Sequence, residues 1–185
     1  MTLLLKEDFI FTQYNSITDE LCIDILNIFE SNIIKNDLFA VNKNSCYEII
    51  GKDYGKIKSF LTNELINNVQ KYLFKINSIN NILNYNSTDS IEFFIKNERY
   101  SEKDEENCQI IKRINWKEKG YKLLNFIWFL NDFDGEILFW KKHMIKPKRG
   151  LLIIFPSSWC FPYEKIITKN HNSNIIYGYL YQNNK

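Results

Sequence analysis

The stretch LLNFIWFLND, residues 123–132, opens the part of the chain that decides its fold. It is followed by FDGEILFW (133–140), KKHMIKPKRG (141–150), LLIIFPSSW (151–159) and NIIYGYLY (174–181). Most of these segments are rich in aromatic and aliphatic residues, and Asn-Asp, Gly, Pro-Lys or Pro-Ser-Ser separates them. Such a series predicts consecutive β-strands joined by tight turns. With no helical pattern between them, the strands favour an antiparallel sandwich or barrel.

The preceding half of the chain predicts two helices. Thr18 is a good N-cap, and the apolar residues that follow it recur at helical spacing, which predicts a helix near 18–30. A second apolar stripe predicts a helix over 55–76, and both helices are expected to pack outside one sheet. Further predictions are strands at 3–14, 91–100 and 109–116, an irregular to extended segment at 38–50, and exposed loops at 77–90 and 101–108.

The fold class expected from these elements is α+β within a single domain. The 185 residues, of which 45% are hydrophobic and 16% aromatic, suffice for one packed core. The expected domain spans 1–185, with a strand and helical part at 1–90 and a β core at 91–185. The net charge of +2 supplies no strong field toward nucleic acid or membranes.

Cysteine usage and the first residues indicate an intracellular protein. Cys22, Cys46, Cys108 and Cys160 are widely spaced, which is typical of reduced thiols. The apolar run at the N-terminus is too short for a signal peptide or a membrane span. We therefore expect a cytoplasmic or virion location. The abundance of Asn, Ile and Lys, whose codons are AT-rich, favours an AT-rich genome such as that of a phage or giant virus.

The motifs of the last third resemble one enzyme family. FLND, the following F-x-GE, IKPKRGLLIIFPSSW and the terminal IIYGYLY are similar to the 2-oxoglutarate/Fe(II)-dependent dioxygenases. The nearest branch is the prolyl-4-hydroxylase-like one, which includes phage and giant-virus members. The resemblance implies a double-stranded β-helix, or jelly roll, with helices packed on one sheet.

The same resemblance implies an iron site whose residue types are missing from this chain. The family holds iron with His-x-Asp/Glu on one strand and a distal His on a later strand, and a cation binds 2-oxoglutarate. The only histidines here are His143 and His171, and neither begins a His-x-acid motif. We therefore predict no catalytic, cofactor-binding or metal-binding residues, only a degenerate ancestral site. Its positions are Lys112 and Ile114 for the His-x-acid pair, Phe161 and Tyr163 for the distal His, and Ser173 for the cation.

The favoured hypothesis is a pseudoenzyme that acts as a protein-interaction or structural module. It would contact protein partners within a larger viral assembly, as a virion structural or assembly component, and it would need no cofactor. Its ancestral cavity is expected to be filled by aromatic and aliphatic side chains, since unpartnered polar groups are costly to bury. Lys169 and His171 lie close to Ser173 in sequence, so an anion-binding role for either stays open.

Two alternatives rest on other residues. A divergent hydroxylase with non-standard ligands would have to assemble its metal site from Asp132, Asp134, Glu136, His143 and His171. Nucleic-acid binding would use the basic run Lys141, Lys142, Lys146, Lys148 and Arg149 beside Trp140. The Pro-Lys-Arg-Gly part of that run reads as an ordinary turn, and the small net charge disfavours nucleic acid as a partner. No membrane partner is expected.

Overall fold

A computed structural model describes residues 5–35, 46–48, 55–76, 91–99, 121–168 and 172–182. Two α-helices are present there, α1 (Asp19–Lys35) and α2 (Gly55–Lys75), together with a 3-10 turn at Lys6–Phe9. The strands are β1 (Phe11–Gln13), β2 (Cys46–Glu48), β3 (Ile91–Arg99), β4 (Tyr121–Phe129), β5 (Gly135–Phe139), β6 (His143–Ile145), β7 (Leu152–Pro156), β8 (Tyr163–Ile167) and β9 (Asn172–Gln182).

The strands form two antiparallel sheets. The large sheet has the order β1-β7-β4-β9-β3-β2, and the small one has the order β6-β5-β8. Strand β9 lies inside the large sheet and pairs with β3 from Ile91↔Leu180 to Arg99↔Asn172. On its other edge β9 pairs with β4, which places the predicted FIWF and IIYGYLY segments side by side.

One face of the large sheet packs against the two helices. Phe93, Phe126 and Trp128 project from this face and belong to the same buried cluster as Leu65 of α2 and Ile25 of α1. The rings of Phe93 and Phe126 have centroids 5.3 Å apart. The apolar stripes that predicted the helices are therefore the surfaces by which the helices cover the sheet.

A buried polar network joins this helical layer to the sheet. Trp128 Nε1 donates a hydrogen bond of 3.1 Å to Ser16 Oγ. Ser16 Oγ in turn donates to Glu64 Oε1 at 3.1 Å. The amide of Asn68 donates to the same carboxylate oxygen at 2.6 Å. Because Asn68 is fully buried, its polar atoms depend on these partners rather than on water.

The other face of the large sheet packs against the small sheet. Ile127 and Phe129, which alternate with Phe126 and Trp128 along β4, are buried in a second cluster with Ile137 and Phe139 of β5. This alternation follows from the two-residue period of a strand, which sends successive side chains to opposite faces. The result is a layered arrangement of helices, large sheet and small sheet.

These features confirm the coarse part of the predicted fold class, which is an α+β chain with antiparallel sheets and two helices. The predicted strand over 3–14 is wrong for its middle part, because Lys6–Phe9 forms a 3-10 turn. There the Asp8 carboxylate accepts the Leu5 N–H at 2.7 Å, a local bond that competes with strand pairing. The strand pattern also left out β8, although residues 163–167 pair with β5.

The large sheet takes strands from both sides of residue 90. Strands β1 and β2 come from the first part of the chain and form the two edges of the large sheet. The predicted loops at 77–90 and 101–108 and the predicted strand at 109–116 lie outside the described residues. Within the described ranges, neither helix has the length and apolar character needed to cross a membrane.

Candidate functional site

The candidate site lies where β8 and the start of β9 face the interior between the two sheets. In register, β8 pairs Tyr163 with Phe139 and Lys165 with Ile137 of β5. Tyr163 and Ile167 pack against the cluster between the sheets, whereas the intervening Ile166 is 44% exposed. Strand alternation therefore directs Tyr163, Lys165 and Ile167 inward.

Phe161 is held just before β8 by other aromatic rings. Its ring centroid lies 5.4 Å from that of Trp140 and 6.3 Å from that of Phe9. Trp140 is fixed in turn, because its Nε1 donates a 2.7 Å hydrogen bond to the carbonyl oxygen of Cys160. Phe161 therefore fills its position with a carbon ring that has no lone pair for a metal ion.

Tyr163 sits in a second group of rings. The centroid of its ring is 5.7 Å from that of Phe139 and 5.2 Å from that of Phe155. Burial raises the pKa of Tyr163 well above its usual range, and the neighbouring Tyr179 raises it further. The phenol therefore keeps its proton even in alkaline solution.

Lys165 and Ser173 bring an ionisable group and a hydroxyl group into this interior. Ser173 is fully buried, and its Oγ lies 3.3 Å from the ammonium nitrogen of Lys165. Desolvation lowers the pKa of Lys165 well below its ordinary value, and the positive charge of Lys96 lowers it further. Sequence reasoning missed Lys165. The alternation Tyr163, Lys165, Ile167 after Pro162 was only a weak signal, because the lysine interrupts the apolar face of the strand.

The remaining predicted site positions are not all described. Lys112 and Ile114 lie outside the described residues, as do Lys169 and His171. The far wall of the predicted filled cavity is therefore not described, and its filling stays a prediction. Of the five degenerate positions, the structure brings Tyr163 and Ser173 to the same interior and places Phe161 at its rim.

Residues proposed for a divergent metal site have other roles or lie apart. Asp132 accepts the backbone N–H of Arg149 at 2.9 Å and so supports a turn. His143 lies on β6, where its ring centroid is 6.5 Å from that of Phe139. Across the described part of the chain, no three His, Cys, Asp or Glu side chains are placed to hold a metal ion.

The basic run is split between the two ends of β6. Trp140 and Lys141 form the β5–β6 turn, with φ values of 52° and 57°. The Lys141 ammonium is 3.8 Å from the Glu164 carboxylate, and its side chain is 80% exposed. Arg149 lies at the opposite end of β6, beside Asp132. Nucleic-acid binding by this run stays an untested alternative.

The described residues do not fit an iron centre of the kind that the resemblance implies. Phe161 offers no donor atom, and Tyr163 offers a phenol packed against the rings of Phe139 and Phe155 in place of an imidazole. The described residues fit 2-oxoglutarate, a dicarboxylate, better than they fit iron, because the amine of Lys165 lies 3.3 Å from Ser173 Oγ. That amine comes from β8, whereas the resemblance implies a cation near the start of β9.

Known structures share this architecture at low sequence identity. A prolyl-4-hydroxylase from Pseudomonas putida matches with a TM-score of 0.61 and 10% identity, over 95% of this chain and 94% of that chain. The viral collagen prolyl hydroxylase of Paramecium bursaria Chlorella virus-1, in its 2OG complex, matches with a TM-score of 0.60 and 11% identity, over 95% and 97%.

A third match is a Trichoplax adhaerens prolyl hydroxylase in complex with a hypoxia inducible factor peptide fragment. Its TM-score is 0.55 at 13% identity, over 94% of this chain and 84% of that chain. No protein-family model and no curated protein matches the sequence. At these identities the structural matches establish likeness of fold alone: the chain has the fold of the prolyl-4-hydroxylase-like oxygenases.

Proposed function

We propose that this protein is a non-catalytic member of the prolyl-4-hydroxylase-like fold that acts as a protein-interaction or structural module. On this proposal its two sheets are the halves of a double-stranded β-helix. The observation that carries the proposal is the ring packing of Phe161 and Tyr163, the residues that the sequence resemblance assigns to the distal-ligand position. Phe161 and Tyr163 each contact two or more other rings there, so both are part of the packed interior.

On this proposal, the contacts of these two rings account for the loss of iron chemistry. A metal site requires donor atoms that converge on an open coordination position. At the two positions that the resemblance assigns to the distal ligand, the proposal has rings that stabilise the fold by burial, at roughly 1.5–3 kcal/mol for each large side chain. Restoring a ligand would therefore break packing before it could bind a metal.

The outer surface offers places for protein contacts. Trp159, in the loop between β7 and β8, is 82% exposed, and Met144 on β6 is 51% exposed. Exposed Trp and Met side chains are common in protein interfaces. We further propose that the partner belongs to a viral assembly, which is supported by the Asn-, Ile- and Lys-rich composition and by the likeness of fold to a viral hydroxylase.

The test is to add Fe(II) and 2-oxoglutarate to the purified protein without oxygen, and then to admit oxygen. We expect no stoichiometric iron by elemental analysis and no succinate. The Pseudomonas putida prolyl-4-hydroxylase, treated in the same way, is the positive control. One equivalent of bound iron, or succinate formed above a no-protein blank, would overturn the proposal.

A second candidate is a divergent 2-oxoglutarate/Fe(II) hydroxylase with non-standard ligands. The observation that favours it is Lys165, whose amine stands 3.3 Å from Ser173 Oγ at the position implied for the 2-oxoglutarate cation. Calorimetry with 2-oxoglutarate distinguishes the two candidates. The hydroxylase predicts binding that requires Fe(II) and is lost in Lys165→Met, whereas the non-catalytic module predicts no iron-dependent binding.

A further inference from the structure

The outer face of the helical layer carries opposite charges on its two helices. Of the described side chains, the exposed ionisable ones of α1 are all acidic, namely Asp19, Glu20, Asp24 and Glu30. Those of α2 are all basic, namely Lys56, Lys71 and Lys75. Both helices bury their other side in the cluster that covers one face of the large sheet, so these charges lie on the side that faces away from the sheet. This surface is the helical face.

The charges of the helical face do not neutralise one another within the chain. None of these carboxylates and ammonium groups forms an ion pair with another side chain that the structure describes. The ammonium of Lys71 donates to the side-chain oxygen of Asn68 at 3.4 Å, and that of Lys75 donates to the carbonyl oxygen of Ile10 at 3.3 Å. Glu64, the one acidic residue of α2, is part of the buried network with Asn68. An acidic and a basic helix therefore stand side by side on one layer, each open to a partner of opposite charge.

Each helix also exposes large apolar side chains among its charges. Phe74 and Phe60 on α2 are 82% and 48% exposed, and Ile23 on α1 is 45% exposed. Lys56 precedes Phe60 by four residues, and Lys71 precedes Phe74 by three, so each phenylalanine has a lysine on the same side of α2. Apolar anchors surrounded by polar and charged groups are the usual composition of a protein interface.

We propose that the helical face binds a second copy of this chain, with α1 of each copy lying against α2 of the other. The charge pattern selects this partner, because one chain carries both members of the complementary pair on the same face. A two-fold axis brings each surface patch against its counterpart twice, so the acidic helix meets the basic helix in both halves of the dimer.

The two kinds of contact have different effects in this dimer. Exposed ion pairs contribute little to stability, so the charges mainly fix the partner and its orientation. The exposed phenylalanines supply the contacts that hold the copies together. The net charge of +2 is too small to keep two copies apart.

The test is a charge exchange followed by sedimentation of the full chain. One variant makes α1 basic by Glu20→Lys, Asp24→Lys and Glu30→Lys, and the other makes α2 acidic by Lys56→Glu, Lys71→Glu and Lys75→Glu. The wild-type chain should have twice the monomer mass of 22.3 kDa, and each variant alone should have the monomer mass, because its two helices then repel those of its copy. An equimolar mixture of the two variants should regain the dimer mass, since both helix contacts are again between opposite charges.

Matched variants locate the interface on the helices. Lys142→Glu with Lys146→Glu reverses two exposed charges at the ends of β6, in the small sheet, and should leave the dimer intact. Phe74→Ser should weaken the dimer more than about tenfold, as expected for loss of a central aromatic anchor. Ile166→Ser, at a 44% exposed position on β8 of the small sheet, should not weaken it. The Phe74 comparison holds even if a charge variant fails to fold by circular dichroism.

Three results would overturn the inference. They are a wild-type chain that stays monomeric at about 100 µM, which excludes all but very weak association, reversed variants that remain dimeric, and a mixture of folded variants that does not associate. A monomeric wild-type chain would leave the helical face to a different protein or to solvent. The inference goes beyond the proposed function, and because dimer mass and iron binding are measured separately, either can fail alone.

Discussion

The indole Nε1 of Trp128 lies 3.1 Å from Ser16 Oγ, and this hydrogen bond ties the centre of the large sheet to the turn before α1. Trp128 is fully buried, as is Asn68, the α2 residue that donates to the same Ser16 oxygen at 3.3 Å. One serine hydroxyl thus connects three elements that are far apart in sequence. The helices are held to the sheet by polar contacts as well as by apolar packing.

Trp128→Phe tests the importance of this connection. Phe keeps an aromatic ring but removes the indole N–H and leaves part of the tryptophan volume empty. We expect the free energy of unfolding to fall by about 1–3 kcal/mol, measured by urea denaturation. Trp159→Phe, at a position that is 82% exposed, is the matched control and should change it by less than about 0.5 kcal/mol. Equal effects of the two variants would contradict the assigned role.

Gly178→Ala tests the close approach of β3, β4 and β9. A Cβ at this position would overlap the carbonyl oxygen of Glu92 and lie 2.5 Å from Cζ of Phe126. We expect a loss of about 1–3 kcal/mol or more in unfolding free energy, because neither the paired backbone nor the buried ring can move away easily. Gly55→Ala is the control, since nothing lies within 4 Å of its added Cβ. Its melting temperature should stay the same or rise, and a comparable fall would contradict this account.

Phe161→His should not create an iron site. An imidazole there would be alone, because Tyr163 beside it stays protonated and the contacts of Phe161 are the rings of Phe9 and Trp140. We expect no bound Fe(II) or Co(II) in absorption and elemental measurements, and a stability loss of about 1 kcal/mol from the polar ring in a mainly apolar site. Phe161→Leu controls for the loss of ring packing. Stoichiometric metal in the His variant would show that the site is intact.

The stability of the protein should fall in strongly alkaline solution, and Tyr72 should contribute to that fall. Burial raises the pKa of Tyr72 from 10.0 to about 12. Between those values the unfolded chain releases the phenol proton and the folded chain keeps it, so rising pH favours unfolding. We expect Tyr72→Phe to reduce the loss of unfolding free energy between pH 10 and pH 12 by on the order of 2 kcal/mol. An unchanged slope would show that the hydroxyl is hydrated in the folded protein.

Lys165 should have the opposite effect at lower pH. Because its folded-state pKa is well below 10.5, the unfolded chain binds the extra proton, and stability rises with pH between the two values. Urea denaturation at a series of pH values below 10.5 should therefore show a smaller rise for Lys165→Met than for the wild-type protein. Lys142→Met, at an exposed position, should keep the wild-type slope. A wild-type slope in Lys165→Met would show that its ammonium is solvated or fully paired.

The elements with strong local patterns were predictable. The apolar stripe of α2 predicts a helix, and the aromatic runs of β4 and β9 predict strands. Each prediction works because the buried residues recur with the period of that element. Lys6–Phe9 was mispredicted, since the Asp8 carboxylate forms a local bond that hydropathy does not register. Strand β8 was missed because its inward lysine breaks the apolar alternation. The sequence indicated Phe161, Tyr163 and Ser173 as site positions. It did not indicate Lys165, whose amine lies 3.3 Å from Ser173 Oγ, because a lysine is not expected on an inward face.

The place of β9 in the large sheet has a consequence for how the protein is made. Strand β9 follows the other described strands in the chain, yet it separates β1-β7-β4 from β3-β2. During synthesis from the N-terminus, these two parts of the sheet cannot join until residues 172–182 have left the ribosome. Until then β3 and β4 each present an unpaired edge in the growing chain, and such edges favour intermolecular pairing. Nascent chains stalled before residue 172 should therefore depend on chaperones far more than chains released after it.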